Sequence, residues 1–230
     1  DMYLRKLLLK MTIDVEHYLK VKIVNDCQEN PADDGYKAVT SFLEKHPEVK
    51  SQILAGARAP GYDADIFRAH AESPAVWNIV EMIGFYALIN VVEYHCTYFN
   101  IPDDEIKHCS SVSRIRNAAA HNLCMLRSLR PEPAFKFDMD TCFELTQSRC
   151  GLTPTEISHN MKIPVLNDFA VMLDVYTKMV SSPKVKEMTF KEMTDFFDGR
   201  MIRRKELFEN NENITGAYKF ARKILGFFAA

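Results

Sequence analysis

DMYLRKLLLKMTIDVEHYLKVKI, residues 1–23, decides the fold class. Leu4, Leu7, Leu8, Met11, Val15, Leu19 and Ile23 recur at three- and four-residue steps, the period of a helix with one apolar stripe. The pattern predicts a long helix over residues 2–28. Nearly every later segment repeats that period. PADDG (31–35) reads as a turn, and 36–45 as a short helix stopped before Pro47. ARAPGYDAD (57–65) is the clearest loop. A long helix follows Pro74 to about Phe99, and Pro102-Asp103-Asp104-Glu105 looks like a helix entry, with acids suited to a first turn. A further helix covers roughly 110–130, halted by PEP (131–133). Pro154, Pro164 and Pro183 punctuate three more helical stretches, and 189–227 reads as two. FKFDMD (135–140) alternates briefly, as either a short strand or a helix start. The expected fold is all-α.

A chain of 230 residues forms one large domain or two small ones, with 47% hydrophobic and 26% charged residues typical of a globular protein. A formal charge of −2 gives no global attraction to nucleic acid, so charge must be read locally. The six cysteines contain no CxxC pair and fall mostly in apolar stretches, which reads as reduced, buried thiols of a cytoplasmic protein. Ile79 to Val92 is the one long apolar run. At 14 residues with Glu81 and Asn90 inside, it is short of the roughly 20 needed to span a bilayer, and reads as a central bundle helix. Asp1 in place of an initiator methionine suggests that a segment is missing upstream.

Chemistry concentrates in SRIRNAAAHNLCMLRSL (113–129). On a helix at about 100° per residue, Asn117 and His121 share a stripe, with Arg114 two turns before the histidine and Arg116 on an adjoining flank. Lys107, Arg114, Arg116, Arg127 and Arg130 face no acid between residues 107 and 130. A basic stripe ending in an imidazole suits phosphate binding joined to general acid–base catalysis. A solvated polar face gives the same pattern.

Three segments together resemble a family. Arg116-Asn117-Ala118-Ala119-Ala120-His121 resembles the R-x4-6-H signature of the HEPN superfamily of helical nucleases. In the form RNAAAHN it resembles the Abi-like branch, the abortive-infection proteins of bacteria. Asp1, Leu4, Arg5, Glu16, Leu19, Lys22 and Ile23 are similar to that branch's first helix, with Lys20 where arginine is frequent. Pro74, Trp77, Glu81 and Phe85 resemble its Pro-Trp-Glu-Phe helix, with Tyr86 where glycine usually follows.

The resemblance implies a HEPN-type helical bundle over 1–130, extended by C-terminal helices (131–230) packed on the same domain. It also implies a metal-independent endoribonuclease acting in phage defence or as a toxin. In such enzymes two protomers bring their motif helices together, so Ala118 to Ala120 would admit the facing helix of a homodimer. The RNA 2′-OH would attack the adjacent phosphorus, with His121 as base or acid, Arg116 stabilising the phosphate charge, and Asn117 orienting His121 or bonding the phosphate. Arg114 and Arg127 are expected at phosphates. Glu16, Lys20 and Glu81 read as a second layer positioning the site or as a core polar tie, with Glu16 and Lys20 also spaced to pair with each other.

No cofactor or metal is expected: His95-Cys96, His108-Cys109 and Cys124 lack the spacing of a known zinc module and read as core or interface residues. In the tail, seven bases stand against three acids between residues 200 and 230, and Arg203, Arg204 and Lys205 are candidate RNA contacts. The rival reading is a non-catalytic RNA-binding or regulatory module. A structured non-coding RNA as partner fits either.

Overall fold

A computed structural model describes residues 1–148 and 150–229, and among them every regular element is helical. The chain divides into two compact units, Asp1–Val15 with His108–Ala230, and Glu16–Lys107. Helix α1 (Met2–Glu29) supplies its first half to one and its second half to the other. The motif helix shares a unit with the C-terminal helices.

The Glu16–Lys107 unit holds α2 (Lys37–Lys45), α3 (Pro47–Gly56), α4 (Ala64–His70), α5 (Val76–Met82) and α6 (Phe85–Phe99). The long helix expected after Pro74 is two helices, because Ile83 and Gly84 adopt extended backbone with ψ of 150° and 165°. The PADDG turn forms as read. Asp34 Oδ1 accepts from the Tyr36 and Lys37 N–H groups and so starts α2, and these bonds hold its carboxyl below the usual range. Gly35 has φ +77°, and an added Cβ would lie 2.5 Å from the Trp77 ring. Only glycine gives both the left-handed backbone and that approach.

The other unit is built around α10 (Pro164–Met179), whose residues from Leu166 to Tyr176 are all buried. Fully buried Leu, Val, Met and Phe side chains stabilise by about 1.5–3 kcal/mol each, which explains why this helix anchors its neighbours. Packed on it are α7 (Cys109–Ala120), α8 (Met139–Gln147), α9 (Pro154–Met161) and α12 (Glu212–Phe228), while α11 (Pro183–Asp195) packs on α12. Proline sits in the first turn of α9, α10 and α11, where its missing N–H costs nothing. FKFDMD resolves as a helix start, since Asp138 caps α8 by accepting from Thr141 N–H. Between α11 and α12, Phe196–Met201 forms a wider π-type coil and Lys205–Leu207 a 3-10 turn. No described helix is long and apolar enough to cross a membrane.

All six cysteines are free thiols. Cys27, Cys96 and Cys109 are buried as expected, but Cys124 is exposed, and Cys142 and Cys150 are half-buried. Burial, aided by Asp33, pushes the Cys27 thiol up to about 12.

Candidate functional site

Helix α7 faces inward through Cys109, Val112, Ile115 and Ala119, all buried at three- or four-residue steps. That leaves Arg114, Asn117 and His121 on the exposed side, as the helical period requires, with Arg116 half-buried beside them. The alanines divide their labour. Ala119 is 6% exposed and lets α7 close on its own unit, while Ala118 is half-buried and Ala120 exposed.

The helix expected over 110–130 ends at Ala120. His121 is its C-cap, and Asn122 adopts φ 56°. Leu123 N–H donates to Ala118 O at 2.9 Å and Asn122 N–H to Ala119 O at 3.3 Å, the paired bonds of a Schellman ending. Asparagine tolerates the left-handed conformation better than other residues with a side chain. The last Asn of RNAAAHN is thus the stop signal, and it places the imidazole at the helix terminus.

The residues after the stop are held by the start of α1. Asp1 Oδ1 accepts from Met125 N–H at 2.9 Å, Arg5 pairs with Asp1 at 3.2 Å, and Arg5 Nη1 reaches Leu123 O at 3.5 Å. Leu4, Leu8, Ile115, Met125, Leu126 and Leu129 then line a small apolar cavity of about 70 Å³. Asp1, Leu4 and Arg5, three of the residues that carried the first-helix resemblance, therefore position the segment after the motif.

Arg116 and His121 are left without structural duty. Arg116 Nη1 donates to Asn117 Oδ1 at 3.3 Å, while its buried Nε has no partner. The exposed His121 ring makes no hydrogen bond among the described residues. Arg114 is different. Its Nε and Nη2 grip Asp168 at 2.9 and 2.6 Å, and Nη2 also meets Ser111 Oγ at 2.7 Å. These bonds to Asp168 raise its pKa above the ordinary guanidinium value. Arg114 is therefore a clamp between α7 and α10 rather than a free phosphate ligand.

Sequence reading missed the network behind that clamp. Asn167 donates to Asp168 at 3.0 Å and accepts from Asp138 N–H at 2.8 Å, and Asp138 Oδ2 lies 2.7 Å from His108 Nδ1. Partners 30 and 54 residues apart leave no local signal. His108, expected as a core or interface residue, is 7% exposed and lies in the core.

Arg127, Arg203, Arg204 and Lys205 are exposed and make no ion pair among the described residues. Arg204, Lys205 and Leu126, the neighbour of Arg127, line one cavity of about 480 Å³ with Tyr3, Phe208 and Tyr218. Arg200 lies 3.3 Å over the Tyr3 ring in the same wall. Arg200, Arg204, Lys205 and Lys219 thus share one cavity wall with Asp1 and Glu209, while Arg127 and Arg203 are not among its lining residues.

The expected second layer lies in the Glu16–Lys107 unit. Glu81 is exposed rather than buried, because it faces outward from the short α5. Lys20 pairs with it at 3.0 Å instead of with Glu16, which makes no ion pair among the described residues. Lys20 and Glu81 form a surface tie within their unit, with Glu16 beside Lys20 on α1.

The chain matches the family of Abi-like proteins over residues 1–127, from Asp1 through the motif to the segment it holds. It belongs to that family. No curated protein and no solved structure matches it significantly. The Abi-like match covers α1 through α7 and the turn after it, while α8 to α12 lie outside. Yet α10 carries the Asp168 that clamps the motif helix, so the Abi-like part depends on the C-terminal helices for its packing.

Proposed function

We propose that this protein is a metal-independent endoribonuclease of the HEPN type, working in bacterial abortive infection. The observation that supports it is selective release. On α7 and its N-terminal turn, His108 and Arg114 are taken up by the carboxylates of Asp138 and Asp168, while Arg116 and His121, the two residues of the R-x4-6-H motif, are not.

In this reading two protomers face their motif helices, and the small side chains of Ala118 and Ala120 admit the approach. One His121 takes the proton of the RNA 2′-OH as it attacks phosphorus, and the partner's His121 protonates the departing 5′ oxygen. Arg116, its Nε left unpartnered by the fold, stabilises the charge that gathers on the phosphate oxygens. Asn117 steadies the guanidinium through the bond to its Oδ1. Arg204 and Lys205 in the cavity wall, with the exposed Arg127 and Arg203 as further contacts, track the RNA backbone, a contact that weakens with salt.

The deciding experiment compares cleavage of single-stranded RNA by wild type, Arg116→Ala and His121→Ala. Loss of at least about 100-fold is expected of a removed acid–base or charge-stabilising group, with unchanged thermal transitions. Unchanged cleavage in both variants removes the site. RNA that binds tightly but is never cut by wild type supports the non-catalytic module, which the basic rim alone would serve.

A further inference from the structure

The Glu16–Lys107 unit assembles metal-binding groups from separate stretches of sequence. Donor atoms of Asp26 on α1 and of His95 and Cys96 on α6 all lie within 4.8 Å of one another. We propose that this cluster is a structural zinc site, a claim independent of the nuclease reading.

His95 carries the argument. Its side chain is 2% exposed, and its Nε2 sits 2.7 Å from Asp33 Oδ2. In the neutral ring, Nε2 donates its proton to that carboxylate and Nδ1 presents a lone pair. That Nδ1 is buried and has no hydrogen-bond partner. A buried acceptor without a donor is costly, and a metal ion is the partner that answers it. Carboxylate on one nitrogen and metal on the other is the usual arrangement of a ligating histidine.

Asp103 lies beside that group of three and offers a further carboxylate to it. Its Oδ1 accepts from the Glu105 and Ile106 N–H groups, which fixes the carboxylate, and Oδ2 lies 3.9 Å from Cys96 Sγ. Mixed nitrogen, sulfur and oxygen donors suit zinc, whereas magnesium and calcium take oxygen alone. Tetrahedral zinc with ordinary bond lengths sets its ligand atoms roughly 3.3–3.6 Å apart, so the Asp26, His95 and Cys96 donors, all within 4.8 Å of one another, have at most about 1.5 Å to close. Sequence spacing gave no sign of this, because Asp26 and Asp33 precede His95 by most of the unit.

Lys22 is the competitor. Its Nζ pairs with Asp26 at 2.6 Å and Asp103 at 3.3 Å, and so occupies the carboxylates that zinc needs. At 29% side-chain exposure it can swing outward on its flexible stem. Zinc and the Lys22 ammonium are alternative counter-ions, and bound zinc would pin the Asp33 turn to α6.

The test uses the whole 230-residue chain in a Cys124→Ser background, stripped with chelator and titrated with cobalt, then zinc. The expected result is one cobalt per chain with a thiolate charge-transfer band, displaced by zinc. The band vanishes in Cys96→Ser and His95→Ala and persists in Cys27→Ser. In Lys22→Ala, zinc binds at least tenfold tighter and restores a lowered melting temperature. Absence of a band in wild type, or a band unaffected by Cys96→Ser, overturns the proposal. So does a Lys22→Ala protein that folds, is destabilised and is not rescued by zinc, which marks the cluster as an ion-pair network. If Lys22→Ala fails to fold, the wild-type cobalt titration decides alone.

Discussion

Asp1 accepts a hydrogen bond from the backbone of Met125 at 2.9 Å, joining positions 124 residues apart. The two ends of the family match meet at that bond, and it fixes the segment leaving the motif helix. Asp1→Ala should therefore cost about 1–3 kcal/mol, the penalty for stranding a buried N–H, and loosen residues 121–130. Chemical denaturation measures the first effect and hydrogen exchange at Met125 the second.

Asn122 ends α7 in left-handed backbone. Asn122→Gly should be neutral or slightly stabilising, while Asn122→Val should cost about 1–2 kcal/mol because its branched side chain resists that region. Melting curves of the two variants check this. Equal transitions would mean that the Schellman ending does not set the helix boundary.

Arg114 and Arg116 should separate cleanly. Asp168→Ala strands the Arg114 guanidinium and should destabilise by about 1.5–3 kcal/mol, the range for a charged hydrogen bond. Arg116→Ala should stay within about 0.5 kcal/mol of wild type, as for a residue outside the packed framework. A large stability loss in Arg116→Ala would make it structural.

The proposed dimer predicts a test of assembly. Ala120 is exposed and Ala119 is 6% exposed. Ala120→Glu should leave the helix content intact but turn a dimer into a monomer in sedimentation at micromolar protein. Ala119→Glu should unfold the chain, because it buries an unpaired charge. A wild-type protein that sediments only as monomer contradicts the composite cleft.

Much of this fold was legible because helical periodicity is local. The stripe of α1 and the prolines opening α9, α10 and α11 each announce an element within a few residues. Two boundaries were misread for one reason. The apolar run 79–92 continues through Ile83-Gly84, and the periodic 110–130 stretch continues through Asn122, so hydrophobicity hid backbone breaks that Gly84 and Asn122 permit. The motif residues were legible through resemblance, but the fates of their neighbours were not. Nothing near Arg114 announces Asp168, and nothing near Glu81 shows that its helix is short and turns it to solvent.

Cleavage chemistry is the most direct test of the central claim. Wild-type protein is given single-stranded RNA in excess EDTA, under conditions where its thermal transition is unchanged, beside the same RNA with 2′-O-methyl groups. If Arg116 and His121 drive attack by the 2′-OH, the unmodified RNA is cut without metal to 2′,3′-cyclic phosphate and 5′-hydroxyl ends. The methylated RNA is bound but intact, and His121→Ala cuts neither. Cutting that resumes only on adding magnesium, or that proceeds on the methylated RNA, contradicts the mechanism.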